Sequence, residues 1–527
     1  MERNRAKVKQ APMQPLPLIG PGFLGLNTER ATTAGFESPN WALTLRNAVF
    51  GDSGMLEQRK GYAVQTVTPA TGTPAFWRIH EYRKLDGSTI LLGVGYLAGP
   101  TISFWKSLDD GATWTAITGS VSSTTVRWKF VNFGDTCYAA APGHRVHYFD
   151  GSGNLTEIAT SPVTNGAIAA CFGRIWVGED GTSQVEYSGL ANGLDWTGPT
   201  AGALDLDLVW TLGLDEIVGL AAFGASFVVF GREHIIVYVD GTGSVLGIDP
   251  DNMYVVDTIE GTGALSTDGI VSIGEGDLWF LSPQGVQSLG RVVAEKVNPL
   301  VAVTDNVRTL VKSLVTSNDT SIGNVQCLYS AEEQFVLYLF QEDQTVLMID
   351  TRPVGEGVYR CGTWVELPFK SICQRKDRSI WFGLAGGEVA KYDTFRDDGA
   401  IFDMTYCSPW MNGADELHNR LKIVKQFYAI LYGRETVRCV AKWGFDYAPF
   451  LYTETMDNDY LAAGGEYGIG EYGIDEYGTG HRIRRQYVGG MGEGFVVQLQ
   501  LALRSLDVDA KVAVQEVGMH AKIGRAG

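Results

Sequence analysis

Of this 527-residue chain, the residues spaced most like a chemical device are Ser107, Asp109, Gly111, Thr113 and Trp114, in the order Ser-x-Asp-x-Gly-x-Thr-Trp. The chemistry they support is local. An Asp carboxylate and a Ser hydroxyl close a hairpin turn by accepting backbone N–H bonds, Gly permits the turn, and Trp folds back over it. The box predicts a structural role for Asp109. Other candidates are sparse. The 7 His include no His-Glu-x-x-His arrangement. His144 and His147 are expected on opposite faces of a hairpin strand, which disfavours a metal. There is no P-loop and no Gly-x-Ser-x-Gly elbow. Carboxylates abound, but one sequence does not pair them as glycoside hydrolysis requires. The 7 Cys are odd in number and form no Cys-x-x-Cys pair. They are expected as buried thiols of a reducing cytoplasm. The expectation is no catalytic residue, no cofactor and no metal, hence no enzyme.

The elements around the box repeat. Arg174–Tyr187 reads as a hairpin: Ile175, Trp176 and Val177 run into a Gly/Asp/Ser turn, and Val185 and Tyr187 alternate on the return. Asp277–Leu289, Ser379–Tyr392 and Asp135–Tyr148 say it again. Ser226–Tyr238, Gln334–Ile349 and Thr89–Trp105 are looser copies. A recurrence of about 40–55 residues is the period of a β-propeller blade. The 65 Gly point to many tight turns. The fold predicted is all-β: a propeller of six to eight blades, with Trp176, Trp279 and Trp381 as equivalent blade-core positions. Val303–Val315 breaks the pattern. Its apolar residues fall on one helical face, with Thr304 as cap and Asp305 in the first turn. Ile217–Gly231, the most apolar window, is too short for a membrane span and suits a blade strand.

The net charge is −18, which disfavours sticking to nucleic acid or anionic membranes. The main basic run, Arg3, Arg5, Lys7 and Lys9, lies in an N-terminal arm of about 21 residues. Prolines at 12, 15, 17 and 21 follow it, where a signal peptide would be apolar.

Gly25-Leu26-Asn27, then Asn47 before a short apolar strand, then Gly54-Met55-Leu56-Glu57-Gln58-Arg59-Lys60-Gly61-Tyr62 resembles the N-terminal segment of short-tailed phage (podovirus) tail nozzle proteins. These are the tail tubular protein B-like, or packaged-DNA-stabilising, components. Physically, Gly51–Gly54 reads as a hairpin turn and the segment as an edge hairpin without chemistry of its own. The Gly-rich loop Ser188–Thr197 closing on Asp195-Trp196 also looks like the nozzle family. The resemblance implies a hexameric ring in the virion, below the portal and adaptor and near tail fibres or spikes. Its channel would carry DNA without sequence-specific binding, and its tip would retain the genome until ejection. The protein would be made in the host bacterial cytoplasm, with no membrane span.

After Asp393 longer strands suggest a C-terminal β-sandwich-like platform: Ile401–Trp410, Arg420–Leu431, Val437–Trp443, Phe495–Leu503 and Val512–Ala521. Inside it lies an Asp/Glu-Tyr-Gly repeat, 463–480, with Tyr467, Tyr472 and Tyr477, then the basic run Arg482, Arg484 and Arg485. These are candidates for a tip or inter-subunit loop. The expected domains are an arm and lead-in hairpin, 1–62; a propeller, 63–395, with a helical insertion near 300–317; and a C-terminal domain, 396–527. Two rival functions stand beside the nozzle. One is a receptor- or glycan-binding adhesion propeller, which should bind cells as an isolated protein. The other is a sialidase-like hydrolase. Only one box is convincing, and Arg78 sits in Phe-Trp-Arg-Ile-His, unlike the Phe-Arg-Ile-Pro setting of such enzymes.

Overall fold

The computed structural model describes residues 13–19, 23–30, 40–51, 55–72, 74–96, 101–122, 128–210, 215–241, 249–274, 276–295, 302–355, 358–412, 420–433, 437–458, 482–489, 492–506 and 511–526. They form two compact units. One comprises 63–359 and 365–392, the other 1–62, 360–364 and 393–527. The two end segments that the sequence treats separately thus fall in one unit. A short piece from the middle of the chain joins them.

The first unit is a β-propeller of seven blades. Blade I holds Phe76–Arg83, Thr89–Tyr96, Thr101–Ser107 and Thr115–Ser122. Blade II holds Lys129–Phe133, Thr136–Ala140, His147–Phe149 and Thr156–Glu157. Blade III is Val163–Cys171, Arg174–Glu179, Gln184–Tyr187 and Gly202–Asp205, widened by Pro142–Arg145. Blade IV is Ile217–Phe223, Ser226–Gly231, His234–Asp240 and Met253–Glu260. Blade V has three strands, Ile270–Ile273, Asp277–Ser282 and Gly285–Ser288, and the helix Leu289–Glu295 that follows packs Leu289 and Val292 against Asp277–Ser282 and blade IV. Blade VI begins Gln326–Ser330, Phe335–Phe340 and Thr345–Gly355. Blade VII is Ser371–Gln374, Ile380–Gly383 and Val389–Tyr392, completed by Tyr62–Val64 from the other end of the sequence. The first strand of each blade packs on the first strand of the next, and Ser371–Gln374 returns to Phe76–Arg83, so the ring closes.

Each sequence hairpin is the second and third strand of one blade. Alternate side chains of a strand face opposite ways, so an inner strand buried on both faces carries bulky apolar residues throughout. Phe227, Val228, Val229 and Phe230 are all fully buried. Trp176, Trp279 and Trp381 each lie on the second strand of their blade. Trp176 meets Phe227 of blade IV, with ring centroids 4.3 Å apart. Trp279 meets Tyr359, at 5.0 Å. Trp381 joins Trp105 and Trp114 of blade I in one apolar cluster. All three face the next blade.

The inserted helix runs from Arg308 to Ser317, after a one-turn 3-10 helix at Asp305–Val307. Val303, Val307, Val311 and Leu314 form its buried face. Thr304 does not cap it. Its Oγ1 accepts the Val286 N–H of blade V at 3.1 Å, a buried donor that competes successfully for the hydroxyl.

The second unit is a sandwich of two sheets. One carries Ala48–Phe50, Leu56–Gln58, Ala513–Ala526, Arg420–Gly433 and Arg482–Gly489 in that order. The other includes Thr44–Arg46, Met404–Cys407, Val497–Ser505, Val437–Phe445 and Ala448–Asn458. Phe427 and Trp443 touch across the core, 5.4 Å between centroids. The N-terminal arm needs correction. Met13–Ile19 is a strand paired antiparallel with 517–522, because a partner strand from the far terminus was invisible in its local pattern. Arg3, Arg5, Lys7 and Lys9 lie outside the described residues.

Candidate functional site

The box occupies the seam where blade VII meets blade I. Ser107 Oγ donates to Asp109 Oδ1 at 2.8 Å and accepts Gly111 N–H at 2.8 Å. Asp109 also accepts Thr113 N–H at 2.9 Å and Thr113 Oγ1–H at 2.6 Å. The Thr113 hydroxyl and amide, with Ser107, hold its carboxyl below the usual carboxylate range. Gly111 has φ +80°, and a Cβ there would lie 2.5 Å from Val389 Cγ2 of blade VII. Trp114 is buried with its ring 4.5 Å from Phe76. The residues entering the propeller run along this seam. Val67 and Thr68 N–H donate to Ala112 O, and Thr66 Oγ1 donates to Gly111 O. The box is the turn on which ring closure is fastened.

Below it lies an ionic cluster that the sequence did not reveal. Glu81, 4% exposed, accepts Arg375 Nε at 2.9 Å, Arg83 Nε at 2.8 Å and Lys376 N–H at 2.6 Å. Arg375 reaches on to Asp110 at 2.5 Å and lies over Trp381, 5.0 Å from the ring centroid. Charge-assisted bonds of this kind are the stronger ones.

The propeller axis holds a second polar cluster. Arg78, on the first strand of blade I, makes a bidentate pair with Asp268, at 2.9 and 3.1 Å. Lys129, on the first strand of blade II, donates to Thr267 O at 3.0 Å and to Thr267 Oγ1 at 3.2 Å. Thr267 and Asp268 belong to a one-turn helix leading into blade V. Three blades thus meet through side chains across the axis.

A cleft of about 620 Å³ opens between blades III and IV, lined by Glu179, Asp180, Asp207, Asp215, Glu216 and Asn165 among others. Three of the carboxylates are already engaged, Glu179 by the Thr182 hydroxyl at 2.9 Å. Asp215 accepts three consecutive N–H groups, of Arg232, Glu233 and His234, and Glu216 pairs with Arg232 at 2.6 Å. Among the described residues no three of His, Cys, Asp and Glu are grouped to hold a metal.

Several sequence readings change. His144 and His147 do not simply project to opposite faces. Both rings flank Trp128, at 5.5 and 5.4 Å, because the chain leaves blade III's edge strand at Arg145 and starts a blade II strand at His147. All seven Cys are free. Burial pushes the thiols of Cys171, Cys373, Cys407 and Cys439 up to about 12. Tyr467, Tyr472 and Tyr477 lie outside the described residues. Arg482, Arg484 and Arg485 belong to a strand paired with 430–433, and their side chains are not described.

The segment 22–62 is more than an edge hairpin. Asn47, at φ +55°, turns the chain from one sandwich sheet to the other. Its Oδ1 accepts Arg59 Nε at 3.1 Å. Arg59, 1% exposed, pairs with Asp397 at 2.8 and 2.6 Å, with its guanidinium 4.0 Å from the Phe402 ring centroid. Asp397 is 338 residues away, so no local pattern announced it.

No protein-family profile matches the chain, and no curated protein matches it in sequence. Solved structures do, at low identity. A streptogramin B lyase structure matches with TM-score 0.36 and 12% identity, over 63% of this chain and 97% of that one. The WD40 β-propeller domain of Doa1 gives 0.37 and 10%, over 63% and 96%. BamB from Moraxella catarrhalis gives 0.34 and 9%, over 66% and 95%. The chain is similar to these in fold, as a β-propeller.

Proposed function

We propose that the chain is a structural virion protein, the nozzle of a short-tailed phage tail. Six copies form a ring below the portal and adaptor, beside the fibres or spikes, and surround a passage that retains the genome and then lets it through. The observation that carries this reading is the run Gly54–Tyr62 with its companions Gly25 and Asn47. These residues resemble the nozzle segment, and they act as framework: Gly25 at φ +79°, Asn47 at the sheet corner, Arg59 in a buried ion pair.

Two further observations support it. The propeller unit has 19 Lys/Arg against 36 Asp/Glu, net −17, while the sandwich unit is near neutral, with 23 against 24. A propeller of that net charge repels phosphate and does not trap a sliding duplex. Arg78 and Lys129 reach Asp268 and Thr267 across the propeller axis, which favours a passage enclosed by several copies. No described helix is long and apolar enough to cross a membrane. The test is electron microscopy and DNA retention of particles made without this protein. Particles that package DNA and then leak it are expected. Full, stable particles that merely fail to adsorb would overturn the reading in favour of an adhesin.

A further inference from the structure

The outermost strand of blade IV, Met253–Glu260, departs from its counterparts. Outer strands are the open edges of propeller blades, and natural edges are kept short, charged or covered. Those of blades II, III and VII have two, four and three residues. Met253–Glu260 has eight. It pairs with His234–Asp240 on one side and, among the described residues, with no strand on the other. Three consecutive apolar residues meet water there: Tyr254 is 53%, Val255 36% and Val256 45% exposed. The helix Leu289–Glu295 meets the strand at its far end, where Ile259 joins Leu289 and Val292 in one cluster. The strand and its lead-in, 249–260, carry Asp249, Asp251, Asp257 and Glu260 and no Lys or Arg. The same strand of a second copy would set like charge against like charge. The edge calls for an extended segment that brings cations.

The chain contains such a segment. In 1–12, Arg3, Arg5, Lys7 and Lys9 stand at every second position, and Glu2 is the single acid, for a net charge of +3. A period of two is that of a strand, with one side basic throughout and the other carrying Asn4, Ala6 and Val8. These residues lie outside the described ones, and no other such segment has more than one Lys or Arg. They lead directly into Met13–Ile19, which is tied to the sandwich. At about 3.3 Å per residue, they reach up to about 40 Å from that anchor.

We infer that residues 3–9 of one copy add as a strand to the outer edge of blade IV of a second copy. Main-chain bonds to Met253–Asp257 supply the affinity, and the four cations meet Asp249, Asp251, Asp257 and Glu260. The contact is head-to-tail, the class that closes rings. It rests on the reading that copies of this chain assemble, and it names the element that joins them.

The probe is a fluorescein-labelled peptide of residues 1–12, titrated with the full chain at physiological salt and read by fluorescence anisotropy. Saturable binding to the wild type is expected. Val255→Lys with Val256→Lys, two cations at exposed positions of the edge, should weaken it by at least about tenfold. An unchanged Tm of that variant separates lost binding from lost fold. A peptide of the same composition with its four cations contiguous should bind the unaltered chain at least about fivefold more weakly, because alternation is recognised and not charge alone. A Kd above about 1 mM for the first peptide, or equal binding of the two peptides, would overturn the inference. So would binding seen only with a chain lacking residues 1–12, since the arm would then cover the edge of its own copy. Particles made without this protein that package and leak DNA, alongside a peptide that does not bind, would leave the nozzle standing and sink this contact alone.

Discussion

The two units are built on opposite plans. In the propeller, most paired strands are near neighbours in sequence, and the blades meet through apolar faces such as Trp176 on Phe227. In the sandwich, Met13 pairs with Lys522, Leu56 with Val514, and the Trp364 indole donates to Ala48 O. Pairing near neighbours costs little loop-closure entropy, and pairing distant segments costs more. Distant segments also need something to fix which strand goes where. The sandwich has Arg59, a buried charge with a single ionic partner, at its corner. The propeller uses ions in the same way at the seam that must also join the two ends of the ring, and again where Arg78 of blade I meets Asp268 across the axis. Polar specificity therefore appears where the chain brings remote pieces together.

The largest expected effect is at that corner. Arg59→Met leaves Asp397 without its cation and should cost about 3–5 kcal/mol. Hydrogen exchange should quicken in Met404–Cys407 and Val497–Ser505 while Ile175–Val177 stays protected. Simultaneous loss of protection in both units would break the comparison. Next come the blade tryptophans. Trp279→Ala and Trp381→Ala should each cost about 3–5 kcal/mol in urea unfolding, with Trp381 the costlier because Trp105 and Trp114 lose contact with it. Equal losses would reduce the seam to an ordinary blade junction.

A smaller effect concerns pH. His80 stacks on Phe130 at 5.5 Å and bonds Asn132 Oδ1 at 3.2 Å, and burial lowers its pKa to about 4. The unfolded chain then binds the extra proton between about pH 6.5 and 4. Stability present above pH 6.5 is lost as pH falls toward 4, by up to about 3 kcal/mol. Melting curves of His80→Gln should show a shallower fall across that window, and an unchanged fall would assign it elsewhere. Smallest is Asp109→Ala, expected to cost about 1–2 kcal/mol through lost turn bonds and to raise exchange at Gly111–Thr113 first. Uniform loss across all blades would mean that the box acts on the whole ring.

Much of the propeller was legible because its signal is local. The seven hairpins found by pattern are the central strands of the seven blades, where both faces are buried and the residues must be bulky. First and fourth strands were harder to see. Gly202–Asp205 and Thr156–Glu157 are short and partly exposed, so neither apolar runs nor clean alternation marks them. The box was legible because five residues within one turn satisfy each other. The seam ions, the axial pair and the Arg59 clamp were not. Glu81 and Arg375 are 294 residues apart, Arg78 and Asp268 190, and charge types alone do not choose partners at such distances.

The strand Tyr62–Val64 that completes blade VII has a consequence for synthesis. It leaves the ribosome early, and its partner, Val389–Tyr392, follows roughly 325 residues later. At 5–20 residues per second that is roughly 15–65 s. For that interval the edge of blade I has nothing to lean on, and a chain that stops short of Tyr392 has no way to finish its ring. Nascent and truncated products should therefore be the forms that proteases and chaperones find, while the finished protein offers them no such opening at blade I.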